Sequence, residues 1–530
     1  MSEGTAKKEE RRKFQAIKGT RDLLPPETTL WTRVERIAQE VFTSYGFGEI
    51  RLPIFELTDL FARSIGEETD VVSKEMYSFE DHDFSELDRL RSVIIHRSPD
   101  IHNKHSVNLY TSQLLEFVSP LEEALSKDLI HKTPENERAL QNLRMHAHRL
   151  GIIHKDFETG ASHAKAQFDL QIDGIRQALR TIHFGDVVSL RPEATASVCR
   201  AYIERNMQQW PQPVKLYTFG PMFRRERPQK GRYRQFYQID AEVLGGSDAP
   251  GIDAELIEMV MTFFERLGLE GVQLDINCIG DKKCRPQYVE LLRAELRKVK
   301  DKLGPDSQRR IETNPLRVLD SKLENEQKLI EGMPHIADHL CEECAENYRG
   351  VKKELGMRGV KYRENWRLVR GLDYYSRTTF EITAKGLGSQ NAVCGGGRYD
   401  GLMELLGGPP TRATGFAIGE DRLILSLQES RKGAAPQGRD VYIAWMGEKA
   451  YATAVRAAKN LRAAGFSVEL PPVEQKFGKA LGQADKLGAK YALILGDNEV
   501  ASGEWTVKTL ATGGQLKVAE VELLDFLKKK

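Results

Sequence analysis

Little in this chain points to a membrane or a secretory route. No apolar run is long enough to span a bilayer. The N-terminal residues 1–13 carry charge of both signs and lack the apolar core of a secretory signal, so they read as a charged tail on a cytoplasmic protein. Six cysteines in 530 residues are too few for a disulfide framework and agree with a reducing compartment. Net charge is only +1, so no global positive excess announces a nucleic-acid partner, and any such surface must be local. Also missing are the Lys-Ser/Thr ending of a P-loop and the spacing of a dinucleotide fingerprint, which removes Walker-type ATP binding and NAD binding.

What is present is patterned, and the length predicts roughly three folded units. Leu30, Trp31, Val34, Ile37, Ala38, Val41 and Phe42 recur at helical spacing up to Gly46, which predicts an amphipathic helix with a glycine stop. Strands are predicted over 49–56, with Pro53 at an edge or kink, and over 74–81. The texture then changes until about Asp186. This stretch holds ten of the twelve histidines, and 112–127 and 136–150 read as helices. Strand signals resume at 187–193, 214–219, 235–244 and 272–276, with a helix over 253–267, and predict an antiparallel sheet in an α+β domain. A charged helical module follows Pro286, and strand and glycine signals return at 368–383, 391–402 and 413–425. The chain thus divides into a tail (1–13), a core (14–427) carrying insertions at 82–184 and about 286–360, a linker (428–439) and a βαβ-type α/β domain (440–530).

Strand periodicity places Tyr237, Ile239, Ala241 and Val243 on one face and Phe236, Gln238, Asp240 and Glu242 on the other. One face is core and the other is rich in acceptors. Arg191, Glu193 and Thr195 are predicted to project together from the strand end at Pro192. The run RRERPQKGRYR from Arg224 sets six cations against the single acid Glu226. Alone it reads as a solvated basic loop. Beside two carboxylate-bearing strands it fits a site for a small zwitterion and an anion, because carboxylates hold an ammonium and guanidiniums grip phosphate bidentately. Gly415, Ala417 and Gly419 leave one strand face nearly bare for a flat ligand, and Arg422 in the next helix is placed to meet a polyphosphate. The stretch Gly395 to Gly401 reads as a flexible loop that lets backbone approach a substrate.

The segments FGPMFRRERPQKGRYRQF from Phe219, LVRGLDYYSRTTFE from Leu368, GGGRYDGL from Gly395 and GFAIGEDRLIL from Gly415, in this order, resemble the class II histidyl-tRNA synthetase family. The resemblance spans nearly the whole chain apart from the histidine-rich stretch. It implies a class II catalytic domain on an antiparallel sheet with helical insertions, and a C-terminal α/β anticodon-binding domain. Motif one would be 30–56, helping to form a homodimer, motif two 223–242 and motif three 413–425. It implies ATP-dependent conversion of L-histidine to histidyl-adenylate with pyrophosphate release, Mg2+ accompanying the phosphates, and transfer to histidine tRNA. By the same resemblance Glu193, Thr195 and Gln238 surround the ammonium and carboxylate, while Glu242 with Tyr374 and Tyr375 reads the imidazole. Arg224 would hold the α-phosphate and Arg422 the γ-phosphate, with Glu226 and Arg232 in the same ATP site. Arg370 would stand beside the α-phosphate, where other class II enzymes place a metal ion. Arg227, Gln229 and Lys230 would read the tRNA acceptor end. Lys476, Lys479, Lys486 and Lys490 would meet phosphates, although by themselves they read as a solvated helix face.

Several positions depart from the family pattern. Asp421 stands where glutamate is common in motif three, and Asp240 where bacterial relatives often have glycine, which is expected to favour a cationic imidazole. Relatives usually join the flanks of 82–184 by a short turn. His102 and His105, or His146 and His148, fit a metal or pH-sensing role, but scattered histidines on a solvated helical insertion are the preferred reading. Cys341 and Cys344 have ligand spacing, yet Cys278 and Cys284 are too far apart for a tight knuckle, so zinc is not expected and no metal ligand is assigned. The main alternative function is a histidine-sensing regulatory subunit of ATP phosphoribosyltransferase. Such relatives tend to lack the C-terminal domain and an intact RGLDYY segment, both present here. A tRNA-sensing pseudo-synthetase would need an effector domain, and no kinase-like motif is visible.

Overall fold

The computed structural model describes residues 14–529 apart from 67–68, 70, 82–90, 93, 97–103, 127–132, 159–163, 183–184, 386–390 and 431–437. The 1–13 tail, His102 and most of the 428–439 linker lie outside the described residues. The chain clusters into two compact units, one holding 38–426 with the chain up to Arg21, the other 427–530 with 22–37. Among the described residues no helix is long and apolar enough to cross a membrane.

An eight-stranded sheet carries the first unit. Its spatial order is β1 (Gly48–Glu49), β5 (Val214–Phe223), β6 (Gln235–Leu244), β11 (Ala413–Gly419), β10 (Ala392–Arg398), β9 (Ser376–Thr383), β7 (Gln273–Cys278) and β8 (Arg363–Glu364). The long central strands pair antiparallel, as expected for the α+β class, and only the two-residue edge strands β1 and β8 pair parallel. Register assigns the two faces. Tyr217, Ala241 and Phe416 sit side by side across β5, β6 and β11. The ring of Phe42, from helix Glu27–Ser44, meets Tyr217, Phe416 and Phe263 edge-on at 5.7 to 5.8 Å between centroids. Small Ala241 leaves room for that aromatic cluster. The opposite face presents Thr218, Asp240 and Ala417 in register, and this is the polar face predicted from period two.

Sequence periodicity misplaces two pieces. The strand expected over 49–56 is broken near Pro53, so that β1 joins the large sheet and β2 (Phe55–Leu57) joins a second one. Proline supplies no ladder N–H, which makes it a natural place to change sheets. The strand expected over 74–81 begins only at Tyr77, after a π-helical turn at Val71–Glu75. The smaller sheet is antiparallel, ordered β2, β4 (Asp186–Leu190), β3 (Tyr77–Asp81).

Asp81 and Asp186 are paired across β3 and β4, so the 82–184 insertion enters at a hairpin tip. It contains helices Lys104–Ser126, Pro134–Glu158 and Ala164–Thr181. The first two are expected from periodicity, and the third is not. Leu114, Leu143, Phe168, Ile175 and Leu179 are wholly buried in one cluster, so the insertion has a core of its own. His146 is half-buried and shares a 2.8 Å hydrogen bond with Gln171, while His105 and His148 are exposed.

In the second unit β13 (Val468–Glu469), β12 (Val441–Trp445) and β14 (Tyr491–Leu495) are parallel, and β15 (Glu504–Thr509) and β16 (Gln515–Ala519) add antiparallel strands. β12 is covered on both faces. Val441 and Ile443 share a cluster with Ala454 and Leu461 of helix Glu448–Ala463, while Tyr442 and Ala444 share one with Ala480 and Ala484 of helix Phe477–Lys486. A central parallel strand is expected to be apolar throughout for this reason.

Candidate active site

A cavity of about 520 Å3 opens over the polar face of β6 and β11, and every residue lining it belongs to the first unit. One half is cationic. Arg224 leaves the end of β5, donates from Nε to the Pro192 carbonyl at 3.0 Å and lies over the Phe236 ring at 5.3 Å. Arg232 pairs with Glu226 at 3.1 Å. Arg422 is aimed by backbone, with Nε donating to Gly231 O at 3.3 Å and Nη1 to Ala392 O at 3.1 Å. Burial lowers the Arg422 pKa, and the neighbouring Arg232 and Arg224 charges lower it further. Such crowding of like charge is relieved by an anion.

Arg370 is the fourth guanidinium. It pairs with Glu381 at 3.0 Å and lies 5.9 Å from the Tyr375 ring centroid. The guanidinium lies where a side chain on residue 395 would begin, so any larger residue there must displace Arg370. This corrects the reading of Gly395 to Gly401 as a flexible loop. Gly395, Gly396 and Gly397 are strand residues of β10, and the chain turns only after Arg398. A Cβ on Gly396 would strike the Gly415 carbonyl and Phe416, so close packing rather than mobility demands these glycines.

The other half is built from carboxylates and hydroxyls. Glu193 accepts from the backbone N–H groups of Thr195 (2.8 Å) and Ala196 (2.9 Å), which fixes it at the start of helix Thr195–Glu204. Its partners favour the anion, but burial is the larger effect and raises its pKa. Tyr374 approaches Glu193 at 3.5 Å. Gln238 lines the cavity, and its Oε1 is buried without a hydrogen-bond partner. Glu242 lies deeper, off the cavity lining. Thr195 donates to its Oε1 at 2.7 Å and Tyr399 to its Oε2 at 2.6 Å. Burial pushes its pKa up to about 8 against these bonds. The bare face of β11 serves two ends, since Gly415 makes space for the Glu242 carboxylate while Ala417 and Gly419 face the cavity.

Several expectations change. Arg191 does not project with Glu193 and Thr195. It is buried and donates to the carbonyls of Leu52, Pro53 and Pro221, bracing the loop that breaks strand 49–56. Asp240 is 1% exposed and off the cavity lining, and burial beside Glu242 and Glu193 pushes its pKa well up, toward the neutral acid. It therefore lacks the expected place on the cavity wall. Asp421 lines the cavity beside Arg422, and its carboxylate is taken up by Arg21 (3.0 Å) and the Tyr237 backbone N–H (2.9 Å). Arg227, Gln229 and Lys230 stay exposed on the β5–β6 connection, with Gln229 bridged to Arg232. Among the described residues no histidine lines the cavity.

Tyr399 and Glu381 lie within the family motifs, but nothing in their local sequence gives them a role: Glu381 gains one beside Gly395 in the β9–β10 register, where it pairs with Arg370, and Tyr399, just past β10, by reaching Glu242. Arg310 and Arg317 have no sequence signal. They reach the cavity from the helical module, Arg317 donating to Gly371 O at 3.0 Å.

The chain matches the family model described as tRNA synthetase class II core domain (G, H, P, S and T) over residues 183–430, and that described as anticodon binding domain over 440–530. Curated relatives named histidine–tRNA ligase from Solibacter usitatus (strain Ellin6076) and Koribacter versatilis (strain Ellin345) are each 43% identical to it. The first match covers 96% of this chain and 98% of the relative, the second 97% and 96%. The crystal structure of apo S. aureus histidyl-tRNA synthetase matches with a TM-score of 0.65 at 30% identity, covering 97% of this chain and 100% of that one.

Proposed function

Because this chain belongs to the histidine–tRNA ligases of the class II synthetase family, we propose that its cavity divides the reaction between the guanidinium half and the carboxylate half. The observation that carries this assignment is the convergence of Arg224, Arg232, Arg370 and Arg422 on one cavity together with Glu193 and Gln238. Glu193 and the free Gln238 carbonyl receive the histidine ammonium. Glu242, oriented by Thr195 and Tyr399, accepts from one imidazole nitrogen, and Tyr375 serves the other, so that isosteric competitors leave buried groups unpaired.

The histidine carboxylate attacks the α-phosphorus as an anion. The new P–O bond forms as the bond from the α-phosphorus to the α,β-bridging oxygen breaks, and pyrophosphate leaves with the electron pair. No general base is required. Arg224 and Arg370 stabilise the charge gathering on the α-phosphoryl oxygens, and fixed guanidiniums do so without reorganising. Arg422 and Arg232 hold the outer phosphates. Glu226 and Glu381, oxygen donors on the lining, would hold the Mg2+ that accompanies the nucleotide, which would offset the charge of the outer phosphates. A ribose hydroxyl of the tRNA terminus then attacks the carbonyl carbon of the adenylate, the ester C–O bond forming as the bond to the phosphate oxygen breaks, AMP leaving with the electron pair and the hydroxyl proton passing to solvent. Arg227, Gln229 and Lys230 are the proposed acceptor-end contacts.

The protein is proposed to act in the cytoplasm as a homodimer. Ile54, Phe55, Leu57 and Phe79 stand about half exposed on or beside the three-stranded sheet, an apolar patch at motif one that a second copy would cover. Sedimentation of the purified chain at twice the monomer mass is the expected result. ATP–pyrophosphate exchange with each amino acid tests the site. Exchange is expected with histidine alone and is lost, by roughly 10²- to 10³-fold, in Arg370→Ala. Undiminished exchange in that variant would refute the assignment, whereas histidine binding without exchange in the native protein would mark it as a sensor.

A further inference from the structure

The structure brings together a group that cysteine spacing alone does not give. Cys278 is buried in β7, and the group that comes together is Asp281, Cys284, Cys341 and Cys344, whose ligand atoms all lie within 4.8 Å of one another. The arrangement is two knuckles, Asp-x-x-Cys and Cys-x-x-Cys. The first is hidden in the sequence because a carboxylate stands where a cysteine would have revealed it.

We propose that these four residues bind one zinc ion as a closed structural site. Tetrahedral zinc with Zn–S of about 2.3 Å and Zn–O of about 2.0 Å needs ligand atoms roughly 3.5–3.8 Å apart. Two edges are already close to that length, Cys284 Sγ to Cys344 Sγ at 3.9 Å and Cys284 Sγ to Asp281 Oδ1 at 3.7 Å. The backbone is shaped for it. Gly280 has φ of +66°, and a Cβ there would lie 2.8 Å from the Cys284 sulfur, so glycine admits the thiolate. The Asp281 N–H points to that sulfur at 3.5 Å, and the Lys283 N–H to Asp281 Oδ1 at 2.9 Å.

Charge is arranged for the same purpose. Three thiolates and a carboxylate around Zn2+ leave two negative charges. Cys284 and Cys341 each cap the N-terminus of a long helix, Arg285–Lys298 and Glu342–Met357, where the helix field favours an anion. Arg377, held in the left-handed region at φ 51°, brings its guanidinium to 3.8 Å from Asp281, and its backbone N–H donates to Gly280 O at 2.7 Å. All four protein positions are filled, which leaves no open coordination for catalysis. The role is to tie the two long helices of the 286–360 module to the end of β7. The tie extends to the reaction centre, because Arg285, next to Cys284, donates to the carbonyls of Ile279, Gly280 and Tyr375.

The test is the metal content of the full chain purified without metal-affinity resin. One zinc per chain is expected, released in step with thiol modification by a mercurial. Replacement by Co2+ should give the visible d–d and near-ultraviolet thiolate bands of a tetrahedral sulfur-rich site. Cys341→Ser, at the most exposed of the three cysteines, should lose the zinc while the circular dichroism of the sheet is kept, and its KM for histidine should rise several-fold with that for ATP unchanged. Metal-free protein with no cobalt bands after reduction, a Cys284–Cys344 disulfide in the peptide map, or full zinc retention in both Cys341→Ser and Cys344→Ser would each overturn the proposal.

Discussion

Glu242 is where burial and recognition compete most directly. Its carboxyl is pushed from 4.5 to about 8 by burial, so the folded protein holds a proton there that the unfolded chain releases. Stability is therefore highest below about 4.5, falls as pH rises toward 8 and is flat above, so far as this group is concerned. Glu242→Gln should flatten that slope, and urea midpoints measured across pH 5 to 8 for both proteins check it. Tyr399→Phe removes the 2.6 Å donor and leaves a buried acceptor short of a partner. A loss of about 1.5–3 kcal/mol is expected, seen as roughly a 10- to 100-fold rise in the KM for histidine with ATP affinity kept. Tyr375→Phe should likewise relax discrimination among amino acids while ATP binding survives. Asp240→Gly, by comparison, should leave the pH dependence of histidine affinity unaltered, because the acid lies below the cavity and is biased toward its neutral form.

At the scale of elements, β10 and the 82–184 insertion make opposite demands. In β10 a side chain at Gly395 would push the Arg370 guanidinium out of its place. Gly395→Ala should slow pyrophosphate exchange at least tenfold, a fraction of the 10²-fold and more expected for deleting a transition-state donor outright, and leave thermal unfolding little changed. The insertion should be dispensable to activation. Joining Asp81 to Asp186 through an Asn-Gly turn closes the β3–β4 hairpin in its existing register. Exchange by the shortened protein should stay within a few-fold of the full chain, and collapse of exchange would mean that the insertion supports the site. The period-two pattern of 235–244 and the helical pattern of 30–42 were legible because one repeating face is enough to declare them. The break at Pro53 and the strand nature of 395–398 were not legible. They depend on which neighbour each residue meets across the sheet.

For the molecule as a whole, the second unit is where the four candidate lysines sit. Lys476, Lys479, Lys486 and Lys490 are all exposed, and Lys490 pairs with Asp440 at 2.8 Å. Replacing Lys476, Lys479 and Lys486 together by Gln should raise the KM for tRNA several-fold and reduce its salt dependence, since every phosphate no longer neutralised by a lysine means about one counter-ion fewer released on binding. Histidine-dependent exchange should not move, because no described residue of the second unit lines the cavity. Unchanged charging would return these lysines to a solvated face.

The amino-acid order alone determined the alternation that makes β6 a strand with one polar face, the apolar stripe of helix Glu27–Ser44, the β-α-β alternation after residue 440, and the motif set naming the family. These are properties of short stretches, where period and residue type speak directly. Only the tertiary structure decided that Arg191 braces a loop, that Tyr399 holds Glu242, that Arg317 reaches the cavity from an insertion, and that Asp281 completes a cysteine cluster. Each of these joins residues far apart in sequence or hides a ligand behind an unexpected side chain. Such partners are selected by register and close packing, neither of which leaves a periodic trace in the chain.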